Sequence, residues 1–229
     1  MPACAILAQA LLLARLTNPY PFAVGETLQY DATLGVFPIG TATATVTGMT
    51  RERGKEAFVF NASGEGGPPG VRATYEMTSW VGTGTFNSLR FNRRWVQPPR
   101  GVQEEHYQII PDSSRYRIEG KPQDWVAPRD PLDELAFLYY LRTIPMKVGG
   151  NYQISRYFKN AYNPVTVSVV SRDTAQLPSG KTVPVLVVQV AAQGTTVGVW
   201  FTDDARRIPV RLDLPLPWGS VMLELTGGA

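Results

Sequence analysis

The sequence is poor in the side chains that most enzyme and metal sites require. It has one histidine and one cysteine in 229 residues. A disulfide framework, a zinc site built from Cys and His, and most catalytic triads are therefore excluded within a single chain. The 22 Lys+Arg against 19 Asp+Glu leave a formal charge of +3, which is far too small for a dedicated nucleic-acid binder. We expect no nucleic-acid partner, no cofactor and no metal ion.

What the sequence does contain is typical of a folded β protein. Hydrophobic residues make up 44% of the chain, enough for a sizeable core, and 21 Gly with 19 Pro indicate many turns. There is no low-complexity tract and no exact internal repeat. The length and this composition favour a single β-rich domain over residues 20–229.

The N-terminus carries the longest apolar run, residues 3–14, which ends at Arg15. As a helix this run would reach about 18 Å, against roughly 30 Å of bilayer hydrocarbon, so it cannot span a membrane. Its length is typical of the h-region of a secretory signal, although no Lys or Arg precedes it and no small-x-small cleavage site follows it. Two interpretations of the segment 1–17 remain open: a cleaved or truncated signal, or a retained docking helix.

From residue 26 onward the apolar residues recur at every second position. Leu28, Tyr30, Ala32 and Leu34 alternate with polar residues, which predicts a half-buried strand. Similar runs, mostly separated by Gly, Pro, Asn or Asp, occur at 41–47, 56–62, 72–81, 85–96, 102–110, 114–118, 151–158, 164–171, 182–191, 195–202, 207–214 and 219–226. Parallel pairs would need crossovers of a dozen or more residues, so this spacing predicts an antiparallel meander. The predicted fold class is all-β, with about a dozen strands in one large, strongly curved sheet or open barrel.

One segment breaks the alternation. Asp130 as N-cap, Pro131 at the first helical position and two acids in the first turn predict the start of a helix, and Pro145 follows its end. The segment 131–142 is apolar nearly all round, so this helix is expected to be buried against or inside the curved sheet. The loop 111–129 before it is the candidate seam between two halves of the sheet.

Basic and aromatic residues supply the candidate contact sites. The stretch from Arg93 through Arg94 to Trp95 mixes the two types, which suits docking onto anionic headgroups or an acidic protein surface, with an ordinary solvent-facing strand as the alternative. Trp125 and Trp218 lie in predicted Pro-bearing loops, where burial is harder. These five residues are the predicted partner contacts.

The possible catalytic groups have simpler explanations. Asp203 and Asp204 could bind a cation or act as an acid–base pair. However, adjacent strand residues point to opposite faces and Asp favours turns, which indicates a charged hairpin tip. His106 has no nucleophile that the sequence places within reach, which is typical of an exposed strand histidine. No catalytic residue is predicted.

Several segments in a fixed order resemble a bacterial family called domain of unknown function 3108. They are PFAVGETLQY (21–30), GTA (40–42), DPL (130–132), LYYLR (138–142), VWFTDD (199–204), RRIPV (206–210) and GSV (219–221). The resemblance covers roughly residues 20–226. The members of this family are mostly predicted exported proteins, which implies the periplasm or cell envelope, peripheral to the membrane. The family has no assigned activity and so implies no catalytic residues.

The hairpin Trp200-x-x-Asp203-Asp204 also resembles the end of lipoprotein-carrier half-barrels of the LolA and LolB type. Those proteins fold a curved antiparallel sheet over several helices and hold acyl chains between them, whereas one internal helix is predicted for this chain. The predicted function is a non-catalytic envelope scaffold that binds a protein partner or serves as an accessory subunit of a membrane-associated assembly. The alternative is a carrier of lipid or another hydrophobic ligand, which predicts an apolar cavity of roughly 300–1,000 Å³.

Overall fold

The computed structural model describes residues 19–67, 71–216 and 219–228. The apolar segment 1–17 and Trp218 lie outside the described residues, so the expectations for them stay predictions.

The described part of the chain forms one antiparallel sheet of 14 strands and an eight-residue helix. The strands are β1 Thr27–Leu34, β2 Phe37–Glu52, β3 Lys55–Gly66, β4 Ala73–Gly82, β5 Ser88–Gln97, β6 Gly101–Ile110, β7 Arg115–Ile118, β8 Asp124–Val126, β9 Asn151–Ile154, β10 Val165–Gln176, β11 Thr182–Ala192, β12 Thr195–Thr202, β13 Pro209–Leu216 and β14 Gly219–Gly227. The helix is α1, Glu134–Leu141, and two short 3₁₀ turns lie at Pro111–Ser113 and Asn160–Tyr162. The predicted all-β class with one internal helix is confirmed.

The sheet joins two sequential meanders through its first and last strands. The strand order is β8-β7-β6-β5-β4-β3-β2-β1-β14-β13-β12-β11-β10-β9, so β1 pairs with both β2 and β14. The edges of this open, curled sheet are β8 and β9. The chain crosses from one edge to the other between Val126 and Asn151, and α1 lies in this crossing.

Two boundaries differ from the sequence prediction. The gap between the predicted strand ending at Leu34 and the predicted run 41–47 is mostly strand, because β2 begins at Phe37 and continues for 16 residues. The loop expected at 111–129 contains two strands, β7 and β8, so the sheet continues through most of the predicted seam. Each of these strands is only three or four residues long, and so short a run gives little alternation to detect.

The helix begins three residues later than predicted, because its N-cap is Asp133 rather than Asp130. One carboxylate oxygen of Asp133 accepts hydrogen bonds from the backbone N–H groups of Leu135 (3.1 Å) and Ala136 (2.9 Å). The segment before it is held extended: Ser88 N donates to Pro131 O, and Leu132 pairs with Tyr157 in an isolated bridge. Tertiary pairing therefore overrides the helix-start signal at Asp130 and Pro131.

The helix packs on the inner face of the sheet. The ring of Tyr139 stacks on that of Phe60 in β3, with centroids 4.1 Å apart and planes 8° from parallel. A second, smaller cluster lies beside this main core, toward β6 and β7, and consists of Phe91, Tyr107, Ile109, Tyr116, Ala127 and Phe158. Burial of α1 is as predicted from its apolar surface.

Candidate functional site

Charged side chains meet on the inner face of the sheet, at the N-terminal end of α1. Arg93 of β5 donates from Nε to Glu105 of β6 at 2.5 Å and from Nη1 to Glu134 of α1 at 3.3 Å. Arg93 and Glu105 lie directly opposite each other in the β5–β6 register, so both point toward the helix. The guanidinium therefore joins the sheet to the first turn of α1.

Two tyrosines complete this cluster as hydrogen-bond donors. The hydroxyl of Tyr107 donates to Glu105 at 2.5 Å, and that of Tyr157 donates to Glu134 at 2.8 Å. Burial, reinforced by the neighbouring carboxylates, raises the pKa of both phenols above their usual value. Burial opposes the charge of Glu105, but the hydrogen bonds from Tyr107 and Arg93 outweigh it and lower the pKa of that carboxyl. The phenols stay protonated and Glu105 stays ionised at neutral pH.

Lys159 adds a second cation to the cluster. Its Nζ lies 4.9 Å from the ring centroid of Tyr107 and 5.3 Å from that of Phe158. Burial, followed by the nearby Arg93, lowers the pKa of the Lys159 ammonium. Within the described ranges Lys159 makes no ion pair, so the two aromatic rings are its principal neighbours.

An aromatic surface lies at the outer margin of the cluster, and we call the set Arg93, Tyr75 and Trp95 the aromatic mouth. Trp95 lies opposite Tyr75 in the β4–β5 register, with ring centroids 6.4 Å apart. The Arg93 guanidinium lies 5.2 Å from the Trp95 ring centroid. Tyr75 is 37% exposed, so the mouth is open to solvent while the charges behind it are partly buried.

The predicted contact stretch is divided between the two faces of the sheet. Arg93 and Trp95 belong to the inner face, whereas Arg94 points outward and pairs with Glu104 at 2.8 Å. His106 lies on the same outer face, 3.6 Å from Glu104, with 39% of its side chain exposed. Strand alternation therefore brings together only two of the three predicted residues.

Trp125 lies in strand β8 and not in a loop, which corrects the prediction. Its ring stacks on that of Tyr116 in β7, with centroids 5.5 Å apart and planes 15° from parallel. It is half-buried against the smaller core cluster. Pairing of β8 with β7 buries part of the Trp125 side chain, which a loop containing proline would leave exposed.

The paired aspartates belong to the turn between β12 and β13. Asp203 accepts from Arg207 and Arg172, each at 2.9 Å. Asp204 accepts from the hydroxyl of Thr202 at 2.8 Å and from backbone N–H groups of the turn. Their carboxylates are thus engaged by the turn and by Arg172 of β10. The described part of the chain contains no group of three or more His, Cys, Asp or Glu able to hold a metal ion.

A small cavity of about 10 Å³ lies between the sheet and the helix, next to Tyr30, Tyr139 and Arg142. It has room for about one water, and the buried hydroxyl of Tyr139 beside it has no hydrogen-bond partner among the described residues. A larger open depression of about 430 Å³ lies at the surface near Ile39 and Val71, lined largely by glycine backbone.

Sequence reasoning missed Tyr75, Glu134 and Lys159. Tyr75 could have been found by alternation, because it precedes Met77 and Ser79 by even steps on the same face of β4. Glu134 was visible only as an acid in the first turn of a helix, and Lys159 gave no signal. In the assembled site, two cations face two carboxylates, and the Arg93 guanidinium lies beside two aromatic rings. This arrangement is suited to binding.

The comparisons with known proteins agree with this fold. The model of the family described as "Protein of unknown function (DUF3108)" matches residues 29–226. Among solved structures, the chain is similar to the crystal structure of a beta-barrel-like protein of domain of unknown function DUF1849 from Brucella abortus. The TM-score is 0.58 at 12% sequence identity, over 88% of this chain and 95% of that one, which shows a shared fold. A search of curated proteins finds no match to this chain.

Among the described residues, no helix has the length and apolar character needed to cross a bilayer.

Proposed function

Because this chain belongs to the DUF3108 family, a protein family of unknown function, we propose a function for it from the geometry of its site. The protein is a non-catalytic β-scaffold of the bacterial cell envelope that binds a protein partner, as an accessory subunit of a membrane-associated assembly. The partner contacts the aromatic mouth, Arg93, Tyr75 and Trp95. The predicted export of family members supports the envelope location.

The observation that carries this proposal is the residue composition of the aromatic mouth, together with the fixed position of its guanidinium. Trp, Tyr and Arg are the residues enriched at the energetic centres of protein interfaces. Glu105 and Glu134 already hold the Arg93 guanidinium in place, so little side-chain entropy is lost when a partner packs on it. Burial lowers the pKa of the Arg93 guanidinium, but Glu134 and Glu105 outweigh it and leave the pKa above its ordinary value, so the cation is permanent.

The small size of the cavity beneath α1 also favours a scaffold over a carrier. The cavity of about 10 Å³ beneath α1 is far smaller than the roughly 300–1,000 Å³ typical of small-molecule sites. An acyl chain could enter there only if the helix moved away from the sheet. A partner that packs across the mouth needs no such opening.

Site-specific photo-crosslinking in living cells tests the proposal. A photoreactive amino acid placed at Tyr75 should give one discrete protein adduct, and the same group at Glu76, the exposed neighbour on the outer face, should not. Combining the Tyr75 probe with Trp95→Ala should reduce the adduct by roughly ten-fold or more. The matched control is Trp80→Ala, because Trp80 also carries an arginine, Arg90, at 4.5 Å but on the outer face.

Equal adducts from both probe positions, or an adduct unaffected by Trp95→Ala, would overturn the partner assignment. Circular dichroism of each variant confirms that the fold is retained. Stoichiometric lipid recovered by organic extraction of the purified chain, with no protein adduct, would establish the carrier alternative instead.

A further inference from the structure

Apolar side chains occupy hairpin turns where polar residues are usual. The hairpin that joins β1 to β2 presents Val36 in its turn, 86% exposed, and Phe37 at the start of β2, 70% exposed. Such turns normally carry Gly, Asn, Asp or Ser, because these residues suit the backbone and interact with water. A valine and a phenylalanine held in solvent here have no structural role in the core.

Two neighbouring hairpins continue this pattern at the same end of the sheet. The turn between β3 and β4 carries exposed Val71, and the turn between β5 and β6 is followed by exposed Val102. A hydrogen bond of 2.9 Å from Gly67 N to Ile39 O holds the first two turns side by side. We call Val36, Phe37, Val71 and Val102 the apolar rim.

The opposite end of the sheet has ordinary polar turns. Arg53-Gly54 joins β2 to β3, Pro111–Ser113 joins β6 to β7, and Asp204 closes the turn between β12 and β13. Lys55 pairs with Asp112 there at 2.8 Å. Among the hairpins compared, exposed apolar residues therefore lie at one end of the sheet, although Val24 and Val148 are exposed in other turns.

We infer that the apolar rim docks the protein onto the surface of an anionic lipid bilayer. The rim residues belong to three successive hairpins along one end of the sheet, and a lipid surface can take up the apolar side chains of each hairpin independently. A protein partner would need a continuous complementary surface of about 1,200–2,000 Å². Arg100, in the β5–β6 turn, makes no ion pair within the described part of the chain and supplies an uncompensated cation next to Val102, whereas Arg72, beside Val71, is paired with Glu65.

This inference concerns a surface different from the aromatic mouth and does not depend on the proposed function. Insertion of Val36 and Phe37 removes their side chains from water, and Arg100 then lies at the level of the headgroups. The interaction should be weak, reversible and sensitive to salt, as expected for a few apolar side chains with few cations beside them.

Vesicle co-sedimentation of the full chain is the decisive experiment, with phosphatidylethanolamine vesicles that do or do not contain phosphatidylglycerol. The combined variant Val36→Ser with Phe37→Ser should lower partitioning onto the anionic vesicles by roughly ten-fold or more. The matched control is Met49→Ser with Val126→Ser, two exposed apolar residues away from the rim, which should leave partitioning unchanged. All variants keep the same residues 1–18, so any contribution from that segment cancels.

A second measurement reports insertion directly. A nitrobenzoxadiazole label on Val36→Cys, in a Cys4→Ser background, should brighten several-fold when anionic vesicles are added, and the same label on Met49→Cys should not. No binding by the unaltered chain, or equal losses from the rim and control variants, would overturn the inference. A label at Val36 that responds to an envelope protein and not to vesicles would assign the rim to a protein partner instead.

Discussion

Arg142 is the charged side chain on which the separate parts of this fold converge. It is 1% exposed and donates to the carboxylate of Glu26 at 2.5 and 2.9 Å. It also donates to the carbonyl oxygens of Pro21 and Arg206, each at 3.1 Å from Nη2. Pro21 and Glu26 precede β1 and Arg206 lies between β12 and β13, so one guanidinium at the end of α1 links both meanders. Three of the sequence segments that resemble the family meet at this contact.

Arg142→Met should lower the free energy of unfolding by roughly 3–5 kcal/mol, because it leaves the Glu26 carboxylate and two carbonyls without their donor. Urea denaturation followed by circular dichroism measures this loss. The control is Arg94→Met, whose guanidinium is 40% exposed and pairs with Glu104 on the outer face, and which should cost about 1 kcal/mol or less. Similar losses for the two variants would contradict the linking role of Arg142.

The carboxylate that caps helix α1 also ties it to the sheet. Besides capping the backbone of α1, Asp133 accepts from the hydroxyls of Ser79 in β4 at 2.6 Å and Ser88 in β5 at 2.7 Å. The sequence shows a helix and its buried character, but two acids, Asp130 and Asp133, could each begin it. Only the sheet decides between them, because the serines that select Asp133 are about 50 residues away in the chain.

Asp133 should make the stability of the fold depend on pH. Burial raises the pKa of its carboxyl from 3.8 to about 7, in spite of the hydrogen bonds from Ala136, Ser79 and Ser88. The folded chain therefore holds a proton that the unfolded chain releases between these pH values. This contribution to stability is complete below about pH 4 and is lost as the pH rises through about 7.

The variant Asp133→Asn keeps an oxygen for the backbone of α1 but does not titrate. Relative to this variant, the unaltered chain should lose up to about 4 kcal/mol of unfolding free energy between about pH 4 and about pH 7.5. Urea denaturation of both chains across this range measures the difference. Parallel stability profiles would show that Asp133 does not titrate in this way.

The candidate site marks the limit of what alternation can predict. The period of two predicted the strands, but the sequence prediction took Arg93, Arg94 and Trp95 together as contacts, whereas the structure places Arg94 on the opposite face from the other two. Alternation could not bring Glu134 or Lys159 to them, because Glu134 comes from the crossing between the two sheet edges and Lys159 from the connection between β9 and β10. Their position depends on how far the sheet curls, a property of the whole strand order and not of any one segment.

At the scale of the whole molecule, the pairing of the first and last strands joins the two meanders into one sheet. Gln29 of β1 lies opposite Gly227 of β14, almost the full length of the chain away. Every other strand pair in the sheet joins sequential neighbours. Among the strand pairs, the β1–β14 pair therefore loses the most loop-closure entropy when it forms, and it should limit the folding rate.

A circular permutant isolates this step. Joining Gly228 to Pro19 through a flexible linker, with new ends between the exposed residues Gly120 and Lys121, turns the β1–β14 pair into a short-range connection. It opens the turn between β7 and β8 instead, at one edge of the sheet, where one backbone hydrogen bond from Lys121 is lost. Refolding should accelerate by about ten-fold while the unfolding rate changes little, since the native contacts are kept. Stopped-flow fluorescence measures both rates, and the control is the linear chain 19–228 with the same linker at its end. An unchanged refolding rate would mean that pairing of β1 with β14 does not limit folding.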